Sequence, residues 1–171
     1  YVLSMLFKFG MADCKSVSTP LDRTIKLRPD TGTVCDPTRF RQIVGSLIYL
    51  TITRTDLSYP VGVIRQFMAR PTEEHVHCVH RVLRYVSGTK DRELLYRTGT
   101  ATQLVGYTDA NWAGNTADRR STSGYAFSLG SAAIVWSSKK QPAVALSSTK
   151  AEYRGAAVTT CEAIWLMLPG P

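Results

Sequence analysis

The chain contains no apolar run near the roughly 18 residues that a membrane-spanning helix needs, and its opening, YVLSMLFKFG, lacks the layout of a secretory signal. No membrane partner is expected on that ground. Its four cysteines, Cys14, Cys35, Cys78 and Cys161, are far apart and form no CxxC pair. That spacing argues against a zinc ribbon and against a dense disulfide framework, leaving reduced thiols of an intracellular protein as the simpler reading. There is no internal repeat and no low-complexity segment, so neither a solenoid nor a disordered tail is indicated. Acidic residues are also scarce: 13 Asp and Glu stand against 21 Lys and Arg.

What is present is enough for a core. With 44% hydrophobic residues, the 171-residue chain can form one domain or two small ones. The positive excess is uneven, with 15 basic and 9 acidic residues in positions 1–100 and 6 and 4 in positions 101–171. Such a balance favours polyanionic partners, nucleic acid above all.

Helical signals dominate the first half. VLSMLFKFG places Val2, Leu3, Leu6 and Phe9 at helical spacing and ends at Gly10. Residues 11–35 carry Pro, Ser, Thr, Asp and Gly without periodicity and read as a linker over a surface. A helix then opens at Asp36 as N-cap with Pro37 at its first position, and Phe40, Val44, Leu47 and Ile48 form its apolar face. A second helix is expected over LSYPVGVIRQFMA, and a third from Thr72, with two glutamates in its first turn, to Gly88.

From about residue 93 the period changes. ELLYR, QLVGYTD, GYAFSLG and AAIVWSSK read as strands, with Gly130-Ser131 a two-residue hairpin connection. A last helix over SSTKAEYRGAAVTTCEAIWLML puts Tyr153, Ala157, Cys161, Ile164 and Leu168 on one side. The fold class is therefore α/β: an N-terminal helical region over 1–92, then over 93–171 strands with antiparallel pairing and a helix, the beginning of a mixed sheet.

Two acids stand out. Asp109 in LVGYTDANWAG shares a strand face with Val105 and Tyr107, a costly place for a carboxylate unless a cation or donor meets it; alternatively it ends the strand and opens a turn. Glu152 fits a capping box begun by Thr149, in which it would bond back to the cap amide. Glu162, ten residues on, lies too far round to meet Glu152 and reads as a solvated face residue. His77 and His80 could share a helix face, but at most two ligands converge there, too few for zinc. The basic pairs of ADRRSTSG and SSKKQP border the strands, where they suit phosphates and ordinary solvated loops equally well.

The stretch YTDANWAGNTADRRSTSGYAFSLGSAAIVWSSKKQPAVALSSTKAEYRG closely resembles the ribonuclease H domain of copia-type retrotransposon Pol polyproteins, in the order of its motifs and the intervals between them. FGMADCKSVSTPL, FRQIVGSLIYLTITRTDLSYPVGVIRQFM and RVLRYVSGTK resemble the segment that joins reverse transcriptase to that domain. The resemblance implies that Asp109 and Glu152 are two of four carboxylates holding two divalent cations, Mg2+ or Mn2+, for hydrolysis of the RNA strand of an RNA–DNA hybrid. It also implies the remainder of the Pol polyprotein as a partner, and an intracellular site in a cytoplasmic particle or the nucleus.

The departures are equally specific. Asn111 and Lys150 stand where the family usually has acids, and Thr55 where it has Pro; a lysine two residues before Glu152 weakens the field for a cation. The family's third and fourth carboxylates come from elements beyond the match to EAIWL, so this stretch reads as a piece of something longer and is expected to be inactive by itself. A competing expectation is a non-catalytic nucleic-acid-binding relic of a decayed element.

Overall fold

The structure is a computed structural model that describes residues 1–168 apart from 23, 26, 30, 100, 101 and 116. Contacts divide the chain into two compact units, Tyr1–Glu93 and Leu94–Pro171.

The first unit is helical. Its helices are α1 (Val2–Lys8), α2 (Pro37–Leu50), α3 (Ser58–Ile64) and α4 (Glu73–Gly88). As the spacing implied, α1 stops where Gly10 takes a left-handed φ of +71°. Asp36 caps α2 by accepting from the Thr38 amide at 3.0 Å, and Pro37 sits where no donor is lost. Phe40, Val44 and Leu47 are buried as expected, but Ile48 is 37% exposed and its place in the core goes to Ile43 and Leu50. The second expected helix is interrupted: α3 is flanked by 3-10 turns at Thr55–Leu57 and Arg65–Phe67. Such tightened turns are common where a short helix ends.

Described residues of the aperiodic stretch 11–35 are tied to α4 by side chains of that helix. Arg84 donates to the Lys15 carbonyl at 2.6 Å and Arg81 to the Thr19 hydroxyl at 2.9 Å. The approach is so close that a Cβ on Gly88 would stand 2.6 Å from Ser16 Cβ. Val17, Leu21 and Leu27 pack against a core built from α1, α2, α3 and α4.

The second unit is α/β: β1 (Leu104–Asn111), β2 (Thr122–Leu129) and β3 (Ala132–Lys140) form an antiparallel sheet in the order β1-β2-β3, followed by α5 (Ser148–Met167). The expected hairpin is present, with Gly130 at φ +60° in the first of its two connecting positions. Every pair among the described strands is antiparallel, the pairing expected of them. ELLYR, by contrast, is not a strand. Tyr96 spends its hydroxyl on the Ala133 carbonyl (2.8 Å) and Arg97 its amide on the Ser131 side chain (2.8 Å), so the segment is tied to the β2–β3 hairpin without a backbone ladder.

Candidate functional site

Strand register decides which face each residue of β1 occupies. Thr108 pairs with Tyr125, Asp109 with Gly124, Ala110 with Ser123 and Asn111 with Thr122, and directly opposite residues share a face. The helix α5 lies on the face of Thr108, Ala110 and Ser123. There a Cβ on Gly155 would stand 3.4 Å from Ser123 Oγ, 3.6 Å from Thr108 Oγ1 and 3.7 Å from Ala110 Cβ, and Thr159 donates to Thr108 Oγ1 at 2.9 Å. Asp109 is therefore on the other face, exposed, with Gly124 and Ser138 in its row and the Asn111, Thr122 and Lys140 row beside it.

The same contacts overturn the expected face of α5. Ala151 and Gly155 are its buried residues, whereas Tyr153, Ile164 and Leu168 are more than half exposed, and Ala157 and Cys161 are exposed as well. The stripe of small residues faces the sheet instead of the expected one, because it lets the helix backbone approach the sheet closely. Glu162 is half-buried rather than solvated, and it faces Tyr125, whose pKa is raised first by burial and then by that carboxylate.

Glu152 does not cap the helix. The N-cap is Ser147, whose side chain accepts from the Lys150 amide at 3.2 Å, so the capping frame begins two residues earlier than Thr149 and its third position falls on Lys150. Glu152 stands one turn further in, exposed, and among the described residues its side chain forms no hydrogen bond or ion pair. Asp109 likewise has no such partner there. Because α5 runs back along β1, with Gly155 at Ala110 and Thr159 at Thr108, Glu152 lies level with the Asp109 end of the strand. The two acids thus reach the same end of β1 on different faces of the sheet, and no contact joins them. Among the described residues no group of three or more His, Cys, Asp or Glu is placed to hold a metal ion.

The connections around this end are well tied. Trp112 donates its indole N–H to the Ala145 carbonyl at 2.9 Å, and Gln141, 5% exposed, donates to Ser123 Oγ (2.7 Å) and to the Ala151 carbonyl (2.9 Å), linking β2 to α5. The Lys139-Lys140 pair ends β3 instead of lying in a loop. Lys140 Nζ meets Asp118 Oδ2 at 2.7 Å, with Arg120 Nε at 3.8 Å from the same oxygen. Burial raises the Asp118 carboxyl, but the Lys140 hydrogen bond and the Arg120 amide outweigh it and hold the group below its ordinary pKa.

In the helical unit, His75 fills a role that spacing did not reveal. Thr72 donates its amide to His75 Nδ1 at 3.0 Å, so the imidazole sits where a capping box usually has Glu or Gln. Its Nε2 then carries the proton and donates to the Arg28 carbonyl at 3.1 Å, while the ring stacks on Phe67 at 3.9 Å. Burial lowers its pKa. His77 and His80 join no metal-ligand group among the described residues. Arg54, 7% exposed, makes a fork to Asp56 (3.0 and 2.7 Å) and reaches the Thr89 carbonyl at 3.0 Å; Tyr85 donates to Asp56 at 2.7 Å. The TRTDL stretch therefore carries a structural ion pair, visible in sequence only as an Arg and an Asp two positions apart.

No protein-family model matches the chain, and no solved structure matches it. It is 47% identical over 167 residues to the Retrovirus-related Pol polyprotein from transposon RE2 of Arabidopsis thaliana, a match over 97% of this chain and 12% of that protein. The Retrovirus-related Pol polyprotein from transposon TNT 1-94 of Nicotiana tabacum is 40% identical over 177 residues, covering 97% of this chain and 13% of its own length. Secreted RxLR effector protein 161 of Plasmopara viticola is 50% identical over 125 residues, 72% of this chain and 87% of that protein. The chain thus spans only about an eighth of the Pol relatives it matches.

Proposed function

The chain belongs to the retrovirus-related Pol polyproteins of copia-type transposons, and on that premise we propose that it is the part of such a polyprotein that enters a ribonuclease H-like nuclease acting on RNA–DNA hybrids. The observation that carries this reading is the release of Glu152 from capping: Ser147 does that work, and an unengaged carboxylate is left level with Asp109. A carboxylate side chain with no structural partner, held on a rigid helix beside a strand that carries a second unengaged acid two residues before its end, is available for a cation.

Asp109 and Glu152 are oxygen donors suited to Mg2+ or Mn2+. When bound, a divalent pair supplies an activated water for in-line attack and stabilises the leaving oxygen. Asp109 would contribute from the exposed sheet face and Glu152 from the start of α5, with both elements fixed by the Gly155 and Gln141 contacts. Two carboxylates do not fill the coordination of two cations, so further acids belong to other parts of the polyprotein. The positively charged residues of 1–100 would follow the hybrid's phosphates.

The test is a cleavage assay on an RNA–DNA hybrid with a longer Pol segment that includes this chain. Asp109→Asn and Glu152→Gln should each abolish metal-dependent cleavage with the circular dichroism spectrum unchanged; retained cleavage in either would overturn the assignment. One observation favours a second reading, a non-catalytic nucleic-acid-binding remnant: the Plasmopara relative is covered over 87% of its length, so a protein of nearly this extent exists by itself. Hybrid binding without cleavage by the longer segment would select that reading.

A further inference from the structure

We infer that the β1–β2 turn and the last residue of β3 form a seat for the sugar–phosphate backbone of a nucleic acid, beside Asp109 and on the same sheet face. The inference rests on the proposal of a nucleic-acid substrate and adds the residues that would hold it.

The turn is built by its own hydrogen bonds. Asn115 Oδ1 accepts from the amides of Ala117 (2.9 Å) and Asp118 (3.3 Å), its carbonyl accepts from Arg119 N (2.9 Å), and its amide donates to the Arg120 carbonyl (3.2 Å). Arg119 adopts a left-handed φ of +57°, uncommon for a residue with a Cβ, and is exposed. Asp118 accepts from the Arg120 amide at 3.1 Å and, through its other oxygen, holds Lys140. One carboxylate thus meets two cations, Lys140 at 2.7 Å and Arg120 at 3.8 Å, and the exposed Arg119 follows it in the chain, so the turn keeps a net positive charge on a backbone whose hydrogen bonds are already made.

Register locates that site. Lys140 pairs with Thr122, which pairs with Asn111, so all three lie on the face of Asp109 and in the next row. Two strand spacings, roughly 10 Å, separate Lys140 from β1. A backbone crossing the open face can therefore meet Lys140 while another of its phosphates lies near Asp109. Lys139 is the internal control: it pairs with Ser123 and so belongs to the opposite face, the one covered by α5. These two adjacent lysines carry equal charge and differ in the face they serve.

The experiment measures anisotropy of a fluorescein-labelled RNA–DNA hybrid with the full 171-residue chain, without divalent cations. Lys140→Ala should weaken binding at least fivefold at low salt, Lys139→Ala by less than twofold, and Lys140→Arg should retain binding. Combined Arg119→Ala, Arg120→Ala and Lys140→Ala should flatten the slope of log affinity against log salt by about 2–3, at close to 0.9 per phosphate contact. Tryptophan emission of each variant checks that the second unit remains folded. Equal losses for Lys139→Ala and Lys140→Ala would reduce the effect to bulk charge and overturn the seat, as would no loss in either or no binding by the parent chain. Failure of the nuclease reading shows elsewhere, as absent metal-dependent cleavage by the longer Pol segment whatever the binding result.

Discussion

Ser147 and Glu152 permit a paired test of whether an acid at the start of α5 serves the fold or the chemistry. Ser147 satisfies the Lys150 amide at 3.2 Å, so Ser147→Ala leaves a first-turn donor without its partner. Removing an N-cap of this type costs about 1 kcal/mol. In a unit of this size that lowers the melting temperature by about 4–8 °C. Glu152 lies in the second turn, where the favourable interaction of an acid with the helix dipole has largely decayed, and alanine is a slightly better helix former. Glu152→Ala should therefore leave stability within about 0.3 kcal/mol of the parent while removing a carboxylate from the candidate metal site. The assay is thermal unfolding followed by tryptophan emission, because Trp112, Trp136 and Trp165 all lie in the Leu94–Pro171 unit. If Glu152→Ala lowered the transition by 4 °C or more and Ser147→Ala left it unmoved, the capping frame assigned to α5 would be wrong and Glu152 would return to a structural role.

Three further outcomes follow from particular contacts. Asp56→Asn should cost about 2 kcal/mol, less than the roughly 3–5 for a fully buried pair because the Asp56 side chain is 34% exposed; the loss should show in ellipticity at 222 nm and not in tryptophan emission. His75 is held neutral by burial, below its ordinary pKa of 6.5, so its contribution to stability is fully present above that pH. That contribution is lost as the pH falls towards the depressed folded value; His75→Gln, which keeps an acceptor for the Thr72 amide, should flatten the slope of urea midpoint against pH. A Gly155→Ala change places its Cβ at ordinary contact distance from Ser123 and Ala110 and should be neutral or stabilising by up to about 1 kcal/mol. Gly155→Leu should push α5 off the sheet at a cost of about 1–3 kcal/mol, and an unchanged tryptophan transition would refute the close approach.

The sequence by itself determined the features whose causes are local. Asp36 followed by Pro37 specifies a helix start because the cap acceptor and the missing donor are adjacent in the chain, and both are found in place. Gly10 and the Gly130-Ser131 connection are legible for the same reason, since a positive φ is a property of one residue. The order of motifs likewise carries the relation to transposon Pol polyproteins, a match over 97% of the chain.

Only the tertiary structure decided matters that depend on what an element packs against. Periodicity pointed to the stripe of Tyr153 and Ile164 on α5, and packing of Gly155 against Ser123 and Ala110 turned the small residues to the sheet instead. The capping frame shifted to Ser147 because Ser147, Ser148 and Thr149 are all competent caps, and the path of residues 141–146 after β3, tied by the Gln141 amide to the Ser121 carbonyl at 2.8 Å, selects among them. The face of Asp109 relative to α5, and the opposite faces of Lys139 and Lys140, follow from cross-strand register. A slip of one residue would reverse all of them, and alternation along a single strand cannot say which face the helix will cover.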